Sequence, residues 1–187
     1  MSVDITNLIM GPATLYHGAY AAPEPSDNQV NSTPAASAWT DVGGTTDGST
    51  LTINQEYTEL MVDQIVDVPG RRLTKRDIQL ATNLAEPTLD NLVIVLNGGT
   101  VTTTGGSHEI YEPDQDSSAT QPDYIALIID GFGPDSLRRR IYGRRALSIE
   151  SVGVAYKKDE QTVFPVTWGM HYVSSTTTPF KVVDALA

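Results

Sequence analysis

The segment from Thr50 to Val68 changes which side it buries. Leu51, Ile53 and Tyr57 fall on one face of an extended strand, whereas Leu60, Val62, Val66 and Val68 fall on the other. Side chains of a strand alternate with period two, so the apolar face switches near Thr58-Glu59. The returning segment shows a similar change, from Leu73 to Ile78 and Leu80. Two antiparallel strands that change face together, joined at Pro69-Gly70, predict a long hairpin. Its base packs in a domain and its tip packs against something else. A β-bulge near the switch explains the same pattern locally. A bare tip presenting Val66, Val68 and Leu73 is a sticky edge, so a partner is expected.

The rest of the 187 residues also reads as mainly β, punctuated by 15 Gly and 11 Pro. Residues 10–20 read as a first strand. Ala21 to Ser37 (AAPEPSDNQVNSTPAAS) is polar, proline-containing and nearly free of large apolar residues, which predicts a long loop or mobile arm at 21–38. Trp39 to Val42, then GGTTDGS, then Leu51 onward read as strand, turn and strand. Leu89, Leu92, Val93 and Leu96 recur at i, i+3, i+4 and i+7, with Thr88 able to cap the start and Gly98 the end. This predicts one helix over 88–97, although the β-branched LVIVL core leaves a buried strand open. Val101 to Ser107 and Glu112 to Gln121 read as turn and loop. Tyr124 to Asp130 reads as a buried strand and Leu137 to Tyr156 as a long one. In 163–173, Phe164, Val166, Trp168, Met170 and Tyr172 share one face, as sandwich core does. No repeat of 20–50 residues and no second domain is evident. The expectation is one domain over 1–187, with the arm at 21–38 and a C-terminal extension at 176–187.

The 12 Lys and Arg against 23 Asp and Glu give a net charge of −11, which disfavours a free nucleic-acid binder or a binder of anionic membranes. Residues 1–70 carry nine acids and no Lys or Arg, and residues 77–137 carry ten acids and again neither base. Nine basic residues lie in two short blocks: Arg71, Arg72, Lys75 and Arg76, then Arg138, Arg139, Arg140, Arg144 and Arg145. Acidic expanses with compact basic patches make a chain electrostatically complementary to its own copies. Two solvated arginine-rich turns are the plainer alternative. With no cysteine, disulfides, thiolate metal sites and cysteine nucleophiles are excluded. No apolar run approaches the roughly 20 residues of a membrane span. The start, MSVDITNLIMG, has no basic region and carries Asp4 ahead of its apolar residues, a poor secretory signal. A soluble chain is expected, made and kept in the cytosol unless something carries it out.

Catalytic signatures are missing. His17, His108 and His171 have no second His or Glu at helical zinc spacing. Asp114-Gln115-Asp116-Ser117 opens like a calcium loop, but Ala119 and Ile125 stand where Gly and Glu are needed. Gly131-Phe132-Gly133-Pro134 lacks the GK[ST] of a phosphate cradle. No G-x-S-x-G elbow and no carboxylate pair in an apolar setting is evident. Leu137 to Arg145 (LRRRIYGRR) is the best nucleic-acid candidate. As a strand it places Arg138, Arg140, Tyr142 and Arg144 on one face, able to track phosphates or to form a salt-bridge ladder between subunits. No enzyme, metal or cofactor is expected.

Several short signatures together resemble one family. They are Trp39-Thr40-Asp41-Val42-Gly43, then Thr46-Asp47-Gly48-Ser49, and the strand reaching Glu56-Tyr57-Thr58-Glu59. Arg76-Asp77-Ile78-Gln79-Leu80, Glu86-Pro87-Thr88-Leu89-Asp90-Asn91-Leu92, the pair Gly98-Gly99 and Phe164-Pro165-Val166-Thr167-Trp168 continue the pattern. Over roughly residues 8–175 the chain resembles the major tail proteins of phages, the tail tube subunits of long non-contractile tails, especially in phages infecting actinobacteria.

The resemblance implies a β-sandwich or flattened barrel with one flanking helix and a long hairpin. It implies subunits closing into hexameric rings that stack head to tail, a virion location and assembly in the host cytoplasm. Implied partners are further copies, the tail tip, tape measure and tail terminator proteins, and genomic DNA in transit without specific binding, with no membrane. Six copies would carry about −66, six times −11, so a carboxylate-lined channel would repel phosphate. On this reading Gln55, Glu59, Asp63 and Asp67 form a channel-facing stripe. Arg71, Arg72, Lys75, Arg76 and the arginines from Arg138 to Arg145 pair with acids of adjacent subunits. A terminator or head–tail joining protein that makes one ring, and a carbohydrate-binding or adhesin module using Trp39, Trp168 and tyrosines, are the alternatives.

Overall fold

The computed structural model describes residues 3–115 and 119–186. Its architecture is mainly β with one α-helix among the described residues. In chain order the elements are β1 (Thr14–Ala19), β2 (Thr40–Asp41), β3 (Thr45–Leu60), β4 (Gly70–Leu84), α1 (Leu89–Val95), β5 (Thr100–Thr104), β6 (His108–Glu112), β7 (Ile125–Phe132), β8 (Arg138–Ser148), β9 (Phe164–Met170) and β10 (Phe180–Asp184). Seven strands form an antiparallel path, β2-β1-β7-β8-β9-β4-β3. β8 carries β10 along residues 139–143 and β9 along 146–148, so the sheet forks at mid-strand. β5 and β6 form a separate hairpin.

The inner face of the sheet holds the main core. Leu15, Leu80, Leu84, Leu127, Phe164, Val166 and Trp168 pack there, closed off by Ile94 and Val95 of α1. Thr88 caps that helix by accepting from the Asn91 N–H, as its sequence predicts. The buried helical face is nevertheless rotated from the expected Leu89, Leu92, Val93 and Leu96. Asn91, Ile94 and Val95 are buried and Leu96 is exposed. Asn91 accounts for the rotation, because its side-chain amide donates to the Val42 and Glu86 carbonyls at 2.9 and 2.8 Å.

The outer face over β1, β7 and β8 carries a second cluster of Trp39, Ala126, Ile128 and Tyr142. Residues 21–38 cover it, so the expected mobile arm is a packed strap. Trp39 Nε1 donates to the Pro23 carbonyl and the Tyr142 hydroxyl to the Pro25 carbonyl, at 3.0 and 3.1 Å. Arg140 is 1% exposed and forks onto Asp130, with Nη2 2.6 Å from Oδ2. The same guanidinium donates to the Ser32 and Gln29 carbonyls of the strap. Val30 of the strap is buried.

Other expectations need correction. Of the predicted GGTTDGS turn, Thr45 onward already belongs to β3. A register shift between Thr46 and Ser49 leaves Asp47 and Gly48, both at positive φ, as an excursion from the ladder. The expected hairpin exists, but pairing stops at Leu60, and 61–69 is a loop rather than strand running to Pro69-Gly70. A bulge also occurs: Glu56 faces Lys75 and Tyr57 faces Leu73, with Thr74 the extra residue. Val101 to Ser107 is mostly strand, turning at Gly105-Gly106 with both φ positive. The strand predicted over 137–156 ends at Ser148, and the unexplained C-terminal extension supplies β10.

Removing the Arg140 guanidinium would leave Asp130 buried without a counter-charge, which costs about 3–5 kcal/mol. Arg140→Ala is therefore expected to lower stability by that amount in denaturant unfolding. The double substitution Arg140→Met with Asp130→Leu should recover most of the loss.

Candidate assembly surfaces

The ribbon formed by β3 and β4 outruns the sheet that supports it. β9 pairs with β4 only from Gln79 to Leu84, so below Gln79 the partner of β4 among the described residues is β3 alone. An isolated two-stranded ribbon is marginal in water. Its two faces differ in kind. Leu51 opposes Leu80 and Ile53 opposes Ile78 on the core side, and the same face continues outward through Tyr57 opposite Leu73. Ile53, Tyr57 and Leu73 are 42%, 52% and 37% exposed. Beyond them the connecting loop presents Met61, Val62, Ile65, Val66 and Val68 to solvent. This is the tip that the face switch predicts, and none of the other described residues covers it.

The expected channel stripe is divided by this geometry. Gln55 and Glu59 do share a face, but it is the face that continues the core. Asp63 and Asp67 lie in the 61–69 loop, where alternation no longer applies. In the first basic block, Arg71 bridges to Glu59 at 2.6 Å and Lys75 to Glu56 at 3.3 Å, all well exposed. Arg72 and Arg76 make no ion pair among the described residues.

The second basic block is largely spent inside the protomer. Arg139 forks onto Asp184, Arg140 onto Asp130, and Arg144 onto Glu24. Arg145 stacks 4.0 Å from the Tyr124 ring centroid, and Arg138 lies 5.8 Å from that of Phe132. Arg139, Arg140 and Arg144 thus have acidic partners within the protomer, and burial of Arg140 and Tyr142 breaks the phosphate-tracking face. The partners lie in the strap, in β10 and, for Arg140, in β7, and these acids and carbonyls carry no recognisable motif.

Trp39 and Trp168 are buried, which takes the stacking platform from the sugar-binding reading. His17 lies in β1, where burial pushes its imidazole pKa down, and His108 and His171 lie elsewhere. No group of three His, Asp or Glu placed to hold a metal occurs among the described residues. Asp116 and Ser117 of the calcium-like run lie outside those residues. No described helix is long and apolar enough to cross a membrane. With this geometry in view, the sequence model of one family, described as phage tail tube protein, matches residues 4–184. No curated protein matches significantly.

The strap is also held by charge. Glu24 accepts from Arg144 and lies 3.2 Å from Lys181, which reaches Asp27 at 2.6 Å. The Arg144 hydrogen bond, above all, draws the Glu24 carboxyl below its usual 4.5. A depressed carboxylate adds stability above its unfolded pKa, and that contribution is lost as pH falls through the folded value. The strap is therefore expected to loosen as the solution is acidified below pH 4.5, the unfolded reference for Glu24. Trp39 fluorescence reports it, since its indole donates to Pro23. Glu24→Gln should weaken the acid dependence of that signal.

Proposed function

This chain belongs to the phage tail tube protein family, and we propose that six copies close into a ring whose stacked repeats enclose an acidic channel. As a member it is a structural, non-catalytic virion protein that polymerises into the tail tube and is assembled in the host cytoplasm. It works with further copies of itself and with other tail components. The proposal concerns the finer arrangement: hexameric closure, head-to-tail stacking, contacts with tip, tape measure and terminator proteins, and passage of DNA without specific binding.

One observation carries it. The β3–β4 ribbon leaves Ile53, Tyr57 and Leu73 uncovered in the protomer and ends in an apolar loop. At about 25 cal/mol per Å² of apolar surface, hiding such a stripe against another copy is a substantial drive to associate. A ribbon that docks on a different surface of the next copy makes a heterologous contact, which repeats without limit or closes into a ring. A tube uses both outcomes, closing around its axis and repeating along it. Six copies at about −66, six times −11, give a channel from which phosphate is repelled rather than held.

Arg71 and Arg72, next to the tip, are assigned to acids of the adjacent subunit. Arg71 already bridges Glu59, but both partners are about half exposed or more, and such a pair adds little to folding. Arg71→Glu with Arg72→Glu is expected to abolish tube growth, read by light scattering, while leaving the circular dichroism and unfolding midpoint nearly unchanged. Normal tubes from the double variant would remove this assignment.

A further inference from the structure

We propose that the channel surface is the even-numbered face of the β3–β4 ribbon, centred on Thr52 and Asn54, so that DNA in transit slides past this face instead of the one bearing Gln55 and Glu59. The assignment rests on the tube reading. Within it, the choice between the two faces of the ribbon follows from what each presents.

Cross-strand partners share a face. Gln55 opposes Arg76 and Glu59 opposes Arg71, in line with Ile53–Ile78 and Tyr57–Leu73. On that side apolar pairs continuous with the core alternate with polar ones, and water is a poor neighbour for the apolar pairs. The opposite side pairs Thr50 with Ala81, Thr52 with Gln79, Asn54 with Asp77, Glu56 with Lys75 and Thr58 with Arg72. From Thr50 to Thr58 it bears no large apolar side chain. It continues across the sheet, because Ala81 pairs with Thr167 and Gln79 with Gly169 of β9. Ile149, packed against Gly169, marks its margin there. The strap that covers the outer face elsewhere does not reach these pairs, since its long-range hydrogen bonds go to Trp39, Arg140, Tyr142, Arg144 and Lys181.

The chemistry of this face suits passage without capture. A strand of nucleic acid is held by unpaired cations that displace counterions and by aromatic rings that stack on bases. Between Thr50 and Thr58 the even face has no aromatic ring. Its Lys75 is drawn to Glu56 at 3.3 Å. Its other carboxylates accept from amides and hydroxyls: Asp77 from Gln79, Asp47 from Asn83, and Glu150 from Thr167. Arg72 stands near the tip, opposite Thr58. A surface of short hydroxyls and amides with an excess of carboxylates offers a duplex neither a cation cluster nor a stacking platform. The apolar face, by contrast, is the one that must be hidden against a neighbouring copy.

The natural absence of cysteine makes the test clean, because one introduced thiol is the only thiol. Thr52→Cys, with Asn54→Cys as a second variant on the same face, would be compared with Tyr57→Cys before and after assembly. Each would be probed with a small maleimide and with a maleimide-coupled gold cluster. The expected result is that the thiols at 52 and 54 stay reactive in tubes and place gold along the tube axis. The thiol at 57 should react at least about ten-fold more slowly in tubes, as a covered interface requires. Gold on the outer wall, or protection at 52 and 54 with reaction at 57, would overturn the face assignment. Failure of the unsubstituted chain to form tubes would remove the tube reading itself, and the assignment with it.

Discussion

A sheet has two faces, and apolar side chains on either must be kept from water. Here one helix serves the inner face, and the structure follows from what is left over. Over β1, β7 and β8 the remaining face is closed by the chain itself, in a strap with few apolar residues of its own. Arg140 makes that possible. Its guanidinium is neutralised by Asp130 beneath and satisfied by the Ser32 and Gln29 carbonyls above, so a polar segment can lie on an apolar surface without orphaned groups. Over the outer half of β3 and β4 the described residues leave the apolar side chains exposed. The protomer is thus complete at one end of its sheet and incomplete at the other, which is what a self-assembling subunit requires.

The charge distribution falls into place on the same division. Basic residues of the second block close the protomer: Arg139 ties β10 to β8, Arg140 seats the strap, and Arg144 with Lys181 gathers Glu24 and Asp27. Basic residues of the first block lie on the projecting ribbon, where their pairs are exposed. Spending cations internally on four different acids leaves the remaining acids as the net surface charge. On the proposed reading, a tube built from such subunits would repel phosphate.

Much of this was legible in the sequence where it depends on alternation. The hairpin, the β7 and β9 core strands and the Thr88 cap follow from period and capping chemistry. The face switch between Thr50 and Val68 marked the ribbon, although the bulge opposite Glu56-Tyr57 and the loop from Met61 share that pattern between them. The strap escaped because what binds it is mostly main-chain carbonyl, at Pro23, Pro25, Gln29 and Ser32, and carbonyls have no sequence signature. Its prolines and polar residues looked like mobility when several of them, Pro25, Gln29 and Ser32 among them, were satisfied by residues over a hundred positions away. For the same reason LRRRIYGRR looked like an open basic face, when its partners lie in the strap, in β10 and in and beside β7. Helix α1 was found but turned, because Asn91 is buried by hydrogen bonds that hydropathy does not register. Of the expected channel stripe, Gln55 and Glu59 follow strand parity, while Asp63 and Asp67 lie past Leu60 in a loop where parity no longer applies.

The central claim is that the protomer is finished only by other copies of itself. Electron microscopy of the purified protein across concentration, with light scattering alongside, tests it directly. The account predicts hollow tubes with a regular axial repeat above a threshold concentration. A monomer at every concentration would contradict it, and discrete rings that never stack would contradict the repeat along the tube axis.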